Sequence, residues 1–165
     1  MTDSIIIYSK TFEITKSGSI TIQISKFNGK DLLNIYKSTF SEKYTGIAKD
    51  SSIAFSSDQY MDLLNIIESI PADYEIKEYG QVWKYKIYTS VFNGNNSFQI
   101  REWVESETYT GYGKKWVSFS MEKFDDFKIS FVDVCSHFEK YLQWDTTIQK
   151  QQKTTSDSDI ESYFN

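Results

Sequence analysis

The chain has one cysteine, one histidine and one proline in 165 residues. A lone Cys135 and a lone His137 can build neither a disulfide framework nor a Cys/His zinc site within one chain, and they imply a reducing compartment. No Gly-rich loop that would cradle phosphate, no paired-carboxylate motif and no Ser/His/Asp arrangement is present. Cys135, His137 and nearby Glu139 do not form a nucleophile site either, because positions i and i+2 of a helix do not face each other. The expectation is a protein that is not an enzyme and needs no metal or cofactor. No apolar run approaches the ~20 residues of a membrane span, and the start MTDSIIIYSK lacks the layout of a signal peptide. A soluble intracellular protein without a membrane partner is expected, in the nucleus of a eukaryote or in the cytoplasm if the source is prokaryotic or viral.

Aromatic residues, by contrast, are abundant: 12 Tyr, 12 Phe and 4 Trp make up 17% of the chain. That is more than a small core needs, so some rings are expected on a surface where they can stack. The net charge of −5 opposes phosphate binding at first sight, but the charges are segregated. Residues 10–49 hold seven lysines against three acids, and 50–78 hold one lysine against seven acids. The pattern returns in 84–115, with five basic residues against three acids, and in 122–145, with three against six.

An internal repeat underlies the alternation. Phe27-Asn28-Gly29 recurs as Phe92-Asn93-Gly94, Ile35 as Ile100, and Tyr44-Thr45-Gly46 as Tyr109-Thr110-Gly111. One residue then drops out in the following loop. Ile53-Ala54-Phe55-Ser56 matches Val117-Ser118-Phe119-Ser120, and Tyr60, Leu63 and Ile67 match Phe124, Phe127 and Phe131. In each unit the first half has strand periodicity: Ile20, Ile22 and Ile24 alternate with polar residues, as do Trp83, Tyr85 and Ile87 with lysines. The Asn-Gly pairs are hairpin turns, since both residues tolerate positive φ. The second half has helical spacing, with Ser56 or Ser57 and Ser120 as N-caps and Pro71 closing the first unit. The second helix extends through Phe138, Tyr141 and Trp144.

The fold class expected is α+β: two ββββα repeats, with an extra short strand at Ile5 to Tyr8, packed through their helices as a pseudo-dimer. Repeat one spans about 10–71 and repeat two about 72–144, together forming one domain over 1–144. With helices on one side, the basic strands would offer a positive face on the other. From Asp145 the chain turns polar and aperiodic, so 145–165 is expected to be a flexible acidic tail. Its tip carries Ile160, Tyr163 and Phe164, apolar side chains that are costly to expose unless a partner covers them.

These units resemble the single-strand-binding domain of the transcriptional coactivator positive cofactor four. The resemblance rests on Phe12-Glu13-Ile14, Ser25-Lys26-Phe27-Asn28-Gly29-Lys30 and Ile53-Ala54-Phe55-Ser56 in the first unit. In the second it rests on Tyr74-Glu75-Ile76, Phe92-Asn93-Gly94, Ile100-Arg101-Glu102-Trp103 and Gly113-Lys114-Lys115 before Val117-Ser118-Phe119-Ser120. It covers about residues 12–144. Members of that family carry one unit per chain and dimerise through helices, whereas the architecturally similar Whirly and Pur proteins carry repeats in one chain. The resemblance implies single strands running over curved sheets, with bases on aromatic rings and phosphates on Lys and Arg. Carried over, the binding residues are Lys26, Phe27, Lys30, Tyr36 and Lys49 in the first unit and Phe92, Arg101, Trp103, Lys114 and Lys115 in the second. Tyr36 stands where the family has arginine, Asn95 where it has the hairpin lysine, and Lys49-Asp50 where it has a basic pair, so the halves should contribute unequally. Phe27 and Phe92 either stack on bases or pack beneath their turns, and of Trp103 and Trp116 one is open to a core role.

The tail resembles the peptide that docks on sliding clamps, with Asp157 in place of the usual leading Gln, and also the acidic tips of single-strand-binding proteins. The reading is a sequence-tolerant single-stranded DNA binder acting in replication, repair or transcription, whose tail recruits a clamp, a polymerase or another replication or transcription protein. The alternatives are a protein-interaction module or transcription cofactor with little nucleic-acid binding, and a single-stranded RNA binder.

Overall fold

The computed structural model describes residues 4–156 apart from 42 and 44, and the side chains of 49, 50 and 147–156 lie outside the described set. Two four-stranded antiparallel sheets, each followed by a helix, give an α+β architecture. The first sheet runs β1 (Ser4–Thr15), β2 (Gly18–Phe27), β3 (Lys30–Phe40) and β4 (Thr45–Ser56), and α1 (Tyr60–Ser69) follows. The second runs β5 (Glu78–Val82), β6 (Tyr85–Phe92), β7 (Asn95–Glu105) and β8 (Thr110–Ser120). A 3-10 turn, Met121–Lys123, then leads into α2 (Phe124–Ser156). Among the described residues, no helix is long and apolar enough to cross a membrane.

Alternation decides which face of each sheet is buried. Ile22 pairs with Ile35 and Ile35 with Ile53, and all three are almost inaccessible to solvent. In the second sheet Ile87, Ile100 and Val117 form the same ladder. The two Asn-Gly turns are alike: φ is 50° and 78° at Asn28 and Gly29, and 50° and 77° at Asn93 and Gly94. Positive φ at both central residues is the turn geometry that matches strand twist.

The helices close one shared core. Tyr60, Leu63 and Ile67 of α1 are buried, as are Phe124, Phe127, Phe131, Val134 and Phe138 of α2. Each fully buried Phe or Ile contributes on the order of 1.5–3 kcal/mol. Several contacts join the two sheets' territories. Phe12 of β1 meets Phe119 edge-on at 6.1 Å, Phe55 lies 5.1 Å from Tyr85, and Tyr60 lies 4.7 Å from Phe138. Farther along, the Tyr8 ring stacks on His137 at 3.7 Å and its hydroxyl donates to Asp133.

Five expectations change. Ile5 to Tyr8 is no extra strand; it is the start of β1, displaced by a register shift between Ile6 and Tyr8. Ser120 does cap its turn, accepting from the Glu122 N–H at 3.2 Å, but neither Ser56 nor Ser57 caps α1. Its N-cap is Gln59, whose Oε1 instead accepts from the Ser56 N–H at 3.0 Å. The basic loops are bulges within strands: one residue, Lys37, spans the gap between Ile47 and Ser52 of β4, and Glu102 spans that between Tyr112 and Trp116 of β8. The β8 bulge holds one residue fewer than the β4 bulge. The tail does not begin at Asp145, because α2 continues to Ser156; the segment lacks Gly and Pro, so nothing in it stops a helix. Finally, Lys26 turns towards the helices, as described below.

Candidate nucleic-acid interface

The face of the second sheet opposite the core is built by three strands in register. Lys86 lies beside Arg101 and Arg101 beside Trp116; Tyr88 lies beside Gln99 and Gln99 beside Ser118. Across the bulge, Trp103 pairs with Tyr112. Cations and rings therefore interleave. Lys86 Nζ sits 3.7 Å from the Trp103 ring centre and also pairs with Glu78 at 3.3 Å. The Arg101 guanidinium lies 4.9 Å from the Tyr112 ring and 5.2 Å from that of Trp116. Tyr112 is in turn 5.4 Å from Tyr88 and edge-on to Trp103 at 5.3 Å.

Polar groups beneath these rings are satisfied by one another. The Tyr88 hydroxyl donates to Gln99 Oε1 at 2.8 Å, and Gln99 Nε2 donates to Ser90 Oγ at 2.6 Å. Burial, with the Tyr112 hydroxyl close by, pushes the Tyr88 phenol up to about 12, so it stays neutral at physiological pH. Arg101 is satisfied only in part, its guanidinium reaching the Tyr88 side chain. Its Nε is buried without a hydrogen-bond partner, a state that costs about 1–3 kcal/mol or more for a charged group. It also forms no ion pair among the described residues.

At one end of this face the first sheet approaches and a groove of about 670 Å³ opens. Ile14, Thr15 and Lys37 line one side; Ser90, Gln99, Arg101, Trp116 and Ser118 line the other, and Phe92 belongs to its wall.

The corresponding face of the first sheet is different. Tyr36 holds the place of Arg101 and bonds weakly to Gln23 at 3.4 Å, while Asn34 donates to Ser25 at 2.6 Å and Thr11 shares a hydrogen bond with Thr21 at 2.8 Å. Thr21 and Ser25 are buried. This surface is small, polar and paired with itself.

The residues named from the sequence fall into separate places. Arg101 and Trp103 share the interleaved face, and Phe92, 72% exposed, stands at its hairpin. Lys114 and Lys115 are exposed in the β8 bulge. Phe27 is half-buried on the open side of the first sheet, next to exposed Lys30 in the ladder. Lys26 is not part of an open face. It shares the parity of Ile20, Ile22 and Ile24 and pairs with Asp31 at 4.0 Å and with Asp145 of α2 at 3.5 Å. Lys49 lies in β4 with its side chain outside the described set, and Ile160, Tyr163 and Phe164 lie outside the described residues.

Lys86, Tyr88 and Tyr112 are not among the expected ligands, and Trp116, open in the sequence to either stacking or a core role, lies on the same face. The signal for two of them was present, since Lys86 and Tyr88 alternate with buried Tyr85 and Ile87. Compared with known proteins, the chain matches no family model and no curated sequence.

Proposed function

We propose that the protein is a sequence-tolerant single-stranded nucleic-acid binder, a tandem pair of ββββα units arranged as a pseudo-dimer within one chain. The observation that carries this is the open face of the second sheet, where Arg101 and Lys86 interleave with Tyr88, Trp103, Tyr112 and Trp116. Rings give sequence-tolerant stacking and the cations meet phosphates. The unit repeat is supported by ladders that coincide: Thr21 with Tyr36 and Tyr36 with Ser52 in one sheet, Lys86 with Arg101 and Arg101 with Trp116 in the other. The two faces are unequal, and the second carries most of the affinity. DNA is the expected ligand, in replication, repair or transcription, and the tip at Ile160, Tyr163 and Phe164 recruits a protein partner such as a clamp or polymerase.

The test is fluorescence anisotropy of a labelled mixed-sequence DNA strand of about 20 nucleotides at low and moderate salt, with duplex and matched RNA as competitors. Salt-sensitive binding that duplex fails to displace is expected. Phe92→Ala should cost about 1–3 kcal/mol, and Phe27→Ala distinctly less; equal losses would refute the inequality of the faces. A protein-interaction role is favoured by one observation, the exposed Ile129 (71%) and Trp144 (60%) on α2. Absence of binding at low salt would give the function to that helix.

A further inference from the structure

The groove between the sheets combines an enclosing volume with aromatic and cationic walls. Its volume, about 670 Å³, falls in the ~300–1,000 Å³ range of sites that enclose a small ligand. One wall is aromatic and cationic, with Trp116 about a third exposed and the Arg101 guanidinium beside its ring. The other wall brings Lys37 from the first sheet. Lys37 stands opposite Ile20 in the β2–β3 ladder, on the core side of its own sheet, yet it lines the groove. It forms no ion pair with any described residue, unlike Lys10, Lys26, Lys84 and Lys86. Arg101 likewise forms no ion pair with any described residue. Two cations without counter-ions among the described residues therefore border one ring-lined groove, and that chemistry suits a phosphodiester with a planar base.

We propose that this groove seats one nucleotide of the bound strand, with its base against Trp116 and its phosphate taken by Lys37 and Arg101. The inference rests on the single-strand-binding reading above and adds to it a defined subsite that both sheets build. The strand crosses from the second sheet to the first at this point. Binding there needs the two sheets to hold their relative position, so the first half contributes through Lys37 even though its own open face is poor in cations.

The probe is a labelled oligothymidylate of about 20 nucleotides, titrated into the full chain over a series of salt concentrations. Each phosphate contact on a single strand contributes about 0.7 to the slope of log K against log salt. Lys37→Ala should reduce that slope by about 0.7 and weaken binding several-fold at low salt; Lys37→Arg should restore both. Lys10→Ala, which removes a lysine already paired with Asp133, should leave the slope unchanged. Trp116→Phe should lose part of the tryptophan quenching expected on binding while retaining most of the affinity. A wild-type slope in Lys37→Ala, with the wild-type chain binding normally, overturns the subsite and leaves the broader reading standing. Failure of the wild-type chain to bind overturns both.

Discussion

Trp83 occupies the first position of the two-residue turn between β5 and β6 with φ of 54°, and it is 62% exposed. A bulky side chain in the left-handed region costs roughly 1–2 kcal/mol. Part of this is recovered locally, because Lys84 Nζ sits 4.5 Å over the indole and the ring meets Tyr85 edge-on at 6.1 Å. Trp83→Asn should therefore raise stability by about 0.5–1 kcal/mol in urea unfolding; a loss would mean that the ring's cover over Tyr85 outweighs the backbone strain. Sequence alternation at this scale was informative about faces and silent about partners. The parity of Lys26 already put it on the side of Ile20, Ile22 and Ile24, but its engagement by Asp145 depends on where α2 crosses, which no local pattern encodes. Lys37 has the same core-side parity, and only the arrangement of the sheets turns it into a groove residue.

Among the elements, hairpins were the most legible, because Asn-Gly specifies its own turn. A Cβ added at Gly29 or Gly94 would meet nothing within 4 Å, so substitution there is felt only through the backbone. Gly29→Ala and Gly94→Ala should each lower stability by about 1 kcal/mol, and by equal amounts in thermal melts. Unequal costs would show that one turn feels its surroundings. The bulges in β4 and β8 look like loops in the sequence because a bulge preserves strand periodicity on either side and announces itself only as a miscount between partners. The length of α2 is hidden in the sequence for a related reason: beyond Trp144 the apolar period stops, but a helix needs that period only where it packs.

For the whole molecule, the two sheets share a core, and the boundary near Pro71 divides the sequence more cleanly than it divides the structure. Phe12 packs against Phe119 and Phe127, and the Tyr141 hydroxyl donates to Asp31 at 3.0 Å. Chains cut at the boundary, 1–71 and 72–165, should each give poorly dispersed NMR spectra and recover dispersion only when mixed. A well-dispersed spectrum from either alone would show that the shared core is dispensable for folding. The periodicities in the sequence were sufficient to imply an α+β fold, while the inequality of the outer faces of the two sheets emerged only when parity was combined with pairing register. The long reach of β1 towards α2 also has a temporal side. On a ribosome adding roughly 5–20 residues per second, Phe12 emerges several seconds or more before Phe127 exists to cover it. The first sheet must spend that interval with an apolar end unmatched, which makes the nascent chain, rather than the finished one, the form most in need of protection by a chaperone.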